Sequence, residues 1–145
     1  GHVVLYVTNI EKMAGFYRDT LGFREVGRMQ LGGRAGAVAF SSGRTHHELL
    51  LIEVGGTPKT SRAPEPGLYH VGFKVADSHK ELIKIYHELQ QKGVTIKGAS
   101  DHTVTHSLYI FDPDGNELEL YADVSDEWKQ NPAAVLSPIK PLDLN

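Results

Sequence analysis

The chain has 145 residues, 40% hydrophobic and 23% charged, which is enough for one domain with a real core and cramped for two unrelated ones. A net charge of −3 with scattered basic residues argues against a nucleic-acid or anionic-membrane binder, and no apolar run is long enough to span a bilayer. The absence of cysteine excludes disulfides and thiolate metal sites, so any transition metal must use His, Asp or Glu, and eight histidines make that feasible.

A first strand over about residues 2–7 is followed by Asn9, a suitable N-cap for a helix carrying Met13, Phe16, Tyr17 and Leu21 at helical spacing and stopping at Gly22. Segments 23–30, 35–41 and 46–54 read as strands, separated by Gly32-Gly33 and Ser42-Gly43 turns. A linker over 55–67, with three prolines, precedes a second strand at Tyr69-His70-Val71-Gly72-Phe73-Lys74-Val75. Asp77 or Ser78 then caps a helix whose apolar face carries Leu82, Ile83, Tyr86 and Leu89, ending at Gly93. Strands are predicted near 94–98, 105–111 and 117–122, the last two joined by the turn Asp112-Pro113-Asp114-Gly115. Residues 125–145 read as a tail packed on the domain and pinned by Trp128.

The pattern is βαβββ twice, over about 1–54 and 68–122. The expected fold class is α+β, with both units forming one curved, partly open barrel-like module over 1–124 and a metal site inside. The two repeats open alike, Gly1-His2-Val3 and Tyr69-His70-Val71, and Glu48 and Glu119 lie at the same offset from the glycines that end the two helices. On the last strand, alternation puts Glu117, Glu119 and Tyr121 on one face and Leu118 and Leu120 on the other. An acidic face on so apolar a strand needs a reason. Three groups suggest a metal site: His2, His70 and Glu119. Two imidazoles and one carboxylate on one side of a divalent ion leave positions open, as in non-haem iron(II) enzymes that admit both substrate and dioxygen.

The stretches GHVVLYVTNIEKMAGFYRDTLGF, GLYHVGFKVAD and DHTVTHSLYIFDPDGNELELY resemble the vicinal oxygen chelate superfamily, which includes glyoxalases, bleomycin-resistance proteins and dioxygenases. Within it they look most like single-module extradiol catechol dioxygenases. The resemblance implies a non-haem iron(II) oxidoreductase that opens a catechol-type aromatic diol with dioxygen, with Mn(II) or another divalent metal as a variant, in aromatic catabolism. It implies metal ligation by His2, His70 and Glu119 and catalytic roles for His47, Tyr109 and His102. His47 would stabilise bound oxygen and shuttle a proton, Tyr109 would donate to a substrate oxygen, and His102 would act as acid or base or line the entrance. No organic cofactor is implied. The partners expected are the small diol and dioxygen, with neither nucleic acid nor membrane, in a cytoplasmic homodimer or higher homo-oligomer.

Two other functions fit the same chain. If Glu48 faced the metal as a fourth ligand, the site would resemble a glyoxalase-like lyase or isomerase. Alternation over a strand at 46–54 allows only one of His47 and Glu48 to face inward, so the two readings make opposite demands on one segment. A non-catalytic drug-binding resistance protein is the third class.

Overall fold

Apolar alternation and the helix-ending glycines produce two units, seen in a computed structural model that describes residues 1–32, 34–60 and 63–145. The first unit is Gly1–Ala63 together with Asp112–Gly115, and the second is Pro64–Phe111 with Asn116–Asn145. The expected Gly32-Gly33 turn falls partly on Gly33, and the linker partly on Ser61 and Arg62, which lie outside the described residues.

In the first unit, β1 (Val3–Val7) leads into α1 (Ile10–Gly15), then β2 (Arg24–Leu31), β3 (Arg34–Ser41) and β4 (Leu49–Glu53). The sheet order is β1-β4-β3-β2, with β1 parallel to β4 and the other pairs antiparallel. Asn9 caps α1 as expected, its side chain accepting from the Lys12 amide at 2.9 Å. The expected continuous helix instead widens into a π turn over Phe16–Thr20 before Gly22 ends it at φ +75°. Met13, Ala14 and Tyr17 are fully buried with Phe40, Leu49 and Leu51. The Tyr17 ring sits edge-on to Phe23, with centroids 6.0 Å apart.

The Asp112 to Gly115 turn is more than a reversal of the chain. The Tyr17 hydroxyl donates to Asp112 Oδ2 at 2.9 Å. Asp114 takes the Thr8 amide at 2.7 Å and the Thr8 hydroxyl at 2.6 Å. Both aspartates are buried.

The second unit runs β5 (His70–Ala76), α2 (His79–Gln91), β6 (Gly98–Asp101), β7 (Thr105–Phe111) and β8 (Glu117–Asp123), with a short β9 (Lys140–Pro141). Its sheet order is β5-β8-β7-β6-β9. The β5 to β8 part repeats the first unit's connectivity, with β5 parallel to β8. Ser78 caps α2 by accepting from the Glu81 amide, and Gly93 ends it at φ +73°, matching Gly22. Leu118, Leu120 and Ala122 alternate onto the face covered by α2, whose Leu82 and Leu89 are buried with them.

The α+β class and the paired βαβββ order therefore hold, and neither sheet closes on itself. Three further details differ from expectation. The strand predicted at 94–98 forms at Gly98–Asp101, because Val94 is taken by the helix end, its amide bonding the Leu89 carbonyl at 2.9 Å. Trp128 does not pin the tail, being 40% exposed; the tail instead buries Ala134 and lays Lys140 and Pro141 against Asp101 and Ser100. The strand predicted over 46–54 begins only at Leu49, which bears directly on His47 and Glu48. Among the described residues no helix is long and apolar enough to cross a membrane.

Candidate active site

The second unit gathers four of the expected residues. Strand alternation aims Tyr109 of β7 and Glu119 of β8, direct partners across the ladder, from the same face. His70, at the start of β5, brings Nε2 to 3.2 Å from Glu119 Oε2. Gly72 stands opposite Glu119 in the parallel ladder; a Cβ there would lie 3.6 Å from Oε2, so position 72 itself adds no side chain against the carboxylate. The Tyr109 hydroxyl donates to Glu119 Oε1 at 3.2 Å and lies 2.8 Å from His102 Nε2. With the phenol proton directed at the carboxylate, His102 Nε2 carries the hydrogen that completes the relay.

A strained turn places His102. Thr103 has φ +73°, rare for a β-branched residue, and the Val104 amide bonds back to the His102 carbonyl at 2.8 Å. This is the uncommon form of the γ-turn. Asp101 holds it by accepting from the Thr103 amide at 2.6 Å. Burial, then the Glu119 charge and the hydrogen bond to it, push the Tyr109 hydroxyl well above its ordinary value of 10.0, so the phenol remains a proton donor at neutral pH.

The acidic face of β8 now divides into two roles. Glu117 is buried and paired with Lys97, whose ammonium also lies over the Phe111 ring, 5.3 Å from its centroid. A hydrogen bond to Glu117 raises the Tyr69 hydroxyl. Glu119 has no lysine or arginine partner among the described ion pairs and faces His70, Tyr109 and His102 instead. Lys97 carried no motif that marked it in the sequence; only the β6 to β7 register brings it to Glu117.

The first unit holds the other two expected residues. The His2 and His47 rings lie 4.4 Å apart, and His46 hydrogen-bonds His47 through the paired Nδ1 atoms. Glu48 turns the other way. Its carboxylate accepts from the Ser42 amide at 2.6 Å, the Ser42 hydroxyl at 3.1 Å and the Thr45 amide at 3.1 Å, closing the β3 to β4 turn. The Ser42 amide first, then the Ser42 and Thr45 side chains, draw its pKa down to about 2. His47 is lowered by burial first, then by His2 and His46, against the pull of Glu48. Strand alternation does not decide between His47 and Glu48, because both precede β4. The turn decides it, through the backbone donors that Glu48 satisfies.

Glu48→Gln tests that assignment. It is expected to cost about 1–2 kcal/mol, as charge-assisted bonds to two amides become neutral ones. Because the folded pKa is depressed, this stability is fully present above the unfolded value of 4.5 and lost as pH falls toward about 2. Denaturant melts across that range should show the two proteins converging in acid; a gap that does not change with pH would refute the role of the charge.

The donor set fits a divalent cation. An imidazole and a carboxylate oxygen 3.2 Å apart have the spacing of neighbouring ligands each about 2.1 Å from one ion. The other ring nitrogen, His70 Nδ1, is buried without a partner. Within neither unit do three His, Asp or Glu side chains among the described residues form a complete metal cluster. Of the expected ligands, His2 belongs to the first unit and His70 and Glu119 to the second.

Comparison with known proteins places the whole chain rather than its individual residues. Catechol-2,3-dioxygenase of Bacillus subtilis (strain 168) is 32% identical over 126 residues, covering 85% of this chain and 41% of the relative. Biphenyl-2,3-diol 1,2-dioxygenase 3 of Rhodococcus globerulus is 33% identical over 124 residues, covering 84% of this chain and 62% of the relative. The chain thus spans about two fifths to three fifths of these curated relatives. Among solved structures, a glyoxylase/bleomycin resistance protein/dioxygenase domain from Frankia sp. EAN1pec superposes with a TM-score of 0.69 at 21% identity, covering 85% of this chain and 95% of that one. That likeness concerns the fold. The family described as Glyoxalase/Bleomycin resistance protein/Dioxygenase superfamily matches residues 1–120, and the chain belongs to it.

Proposed function

We propose that the chain is an extradiol ring-cleavage dioxygenase acting on a catechol-type aromatic diol with dioxygen, using iron(II) held by His2, His70 and Glu119. One observation carries the reading: a phenol and an imidazole, Tyr109 and His102, are hydrogen-bonded in series behind the His70 and Glu119 donor pair. The fold itself does not choose, since one scaffold hosts many chemistries. Held by these three residues, a divalent metal would supply open coordination positions and a route for electrons between a diol and dioxygen.

The residues of the chain do the proton work. Tyr109, kept protonated by its surroundings, donates to a diol oxygen and favours the deprotonated substrate. His102 supplies or accepts the proton that Tyr109 relays. His47, beside His2, would hold a proton on the oxygen side of the site and return it to the product. The commitment of Glu48 to its turn weighs against the lyase reading, which requires that carboxylate as a ligand.

The test is direct. The protein is loaded with iron(II) without air, mixed with catechols including 2,3-dihydroxybiphenyl, and exposed to oxygen while oxygen uptake and the yellow ring-opened product are followed. Both signals are expected for at least one diol. Neither signal with iron verified bound, or isomerisation of a glutathione hemithioacetal instead, would overturn the assignment. His47→Phe should retain iron and lose about 100-fold or more in turnover; unchanged turnover removes His47 from the mechanism.

A further inference from the structure

Histidines 79 and 106 meet on the opposite face of the second unit's sheet from Tyr109 and Glu119. His106 and Tyr109 are three positions apart along β7, so alternation sends them to opposite sides. His106 therefore shares the face of Leu108 and Ile110, both fully buried. His79 is the first residue of α2. Its Nδ1 lies 2.9 Å from His106 Nδ1, with the rings nearly perpendicular and their centroids 4.8 Å apart. Asp101, the cross-strand partner of His106, places Oδ1 3.6 Å from His106 Nε2.

The protons on these rings follow from that arrangement. Two Nδ1 atoms at hydrogen-bond distance cannot both carry hydrogen. Asp101 favours the His106 proton on Nε2, which leaves a lone pair on Nδ1 aimed at His79. Burial first, and then the neighbouring His79 charge, hold His106 toward its neutral form against the pull of Asp101. A carboxylate behind one imidazole nitrogen, with the other nitrogen presented forward, is how metal-ligating histidines are oriented. A separation of 2.9 Å is that of two ligands at a right angle about an ion roughly 2.1 Å from each, and a tetrahedral zinc would open the pair to about 3.4 Å.

We propose that His79 and His106 form a second metal site, specific for a borderline divalent cation such as zinc, with water filling the remaining positions. Imidazole donors select zinc, copper or nickel over calcium and magnesium. Among the described residues no third His, Asp or Glu side chain completes a cluster there, so only two protein donors would hold the ion. Asp143, whose carboxylate is held low by Asn145 first and also by the charge of His79, adds negative potential nearby. When bound, the cation replaces the shared proton and ties the start of α2 to β7. The proposal does not rest on the reaction proposed above, although Asp101 Oδ1 also accepts from the Thr103 amide in the turn that places His102.

Zinc titration of the whole chain, followed through the histidine ring nitrogens by NMR, provides the test. The Nδ1 resonances of His79 and His106 should move together on zinc addition and stay put with magnesium. Equilibrium dialysis of His79→Gln and His106→Gln should show each losing the same equivalent of zinc, which Glu119→Ala retains. His79 lies at a helix start, so its substitution leaves the core of the unit intact should His106→Gln fold poorly. Ring resonances unmoved by saturating zinc, or zinc binding unchanged in His79→Gln, would overturn the proposal.

Discussion

Under the proposed function, Glu119→Ala is expected to abolish iron binding and, with it, ring cleavage, in a protein that still melts cooperatively. Loss of outer partners of a metal site already weakens binding by about 10–100-fold, so loss of a ligand exceeds that range. The side chain of Glu119 is 18% exposed, and its removal leaves no buried charge behind. Glu117→Gln, two residues away on the same strand face, is the matched control. It leaves the Lys97 ammonium without its anion, lowering stability by about 1–3 kcal/mol, yet iron binding persists. Iron content by metal analysis and thermal melts on both variants separate the two roles. Equal iron loss in the two would mean that the β8 face acts as a single acidic patch, and the ligand assignment fails.

Tyr17→Ala has the largest expected effect on stability, about 3–5 kcal/mol, because a fully buried aromatic is truncated. Tyr17→Phe isolates the hydroxyl. It removes a donor from buried Asp112 and costs about 1–3 kcal/mol. Burial first, then Asp112 and Asp114, raise the Tyr17 hydroxyl well above 10.0. A weak acid whose folded pKa is raised contributes stability below the unfolded pKa and loses it as pH climbs beyond that value. The wild-type chain should therefore lose stability above about pH 10 through a component that Tyr17→Phe lacks. Denaturant melts from neutral to strongly alkaline pH measure it, and parallel curves for the two proteins would refute the coupling.

What could be read from the residues follows the range of the forces involved. Alternating strands such as 105–111 and the twin helix ends at Gly22 and Gly93 are local, since pleat and left-handed glycine are written over a few residues. The segment at 94–98 misled because apolar Val94 and Ile96 mimic a strand, whereas the ladder forms through the small residues Gly98, Ala99 and Ser100. The facing of His47 and Glu48 was illegible because it depends on amides of Ser42 and Thr45 in an irregular turn, where period-two counting has no force. Family likeness singles out His102, whereas its contact with Tyr109 depends on the unusual backbone of Thr103. Remote pairs such as Thr8 with Asp114 leave no local trace at all.

The Asp112 to Gly115 turn has an evolutionary consequence. A duplicated ancestor would have been two self-sufficient halves, yet the first unit draws part of its buried polar framework from residues encoded late in the second repeat. A fragment ending within 55–67 would lack the acceptors for Tyr17 and Thr8. It should stay unfolded alone and recover structure only when the remaining segment is supplied in trans. The dependence runs from the first repeat to the Asp112 to Gly115 turn, so a split of the gene between the repeats would strip the first of those acceptors.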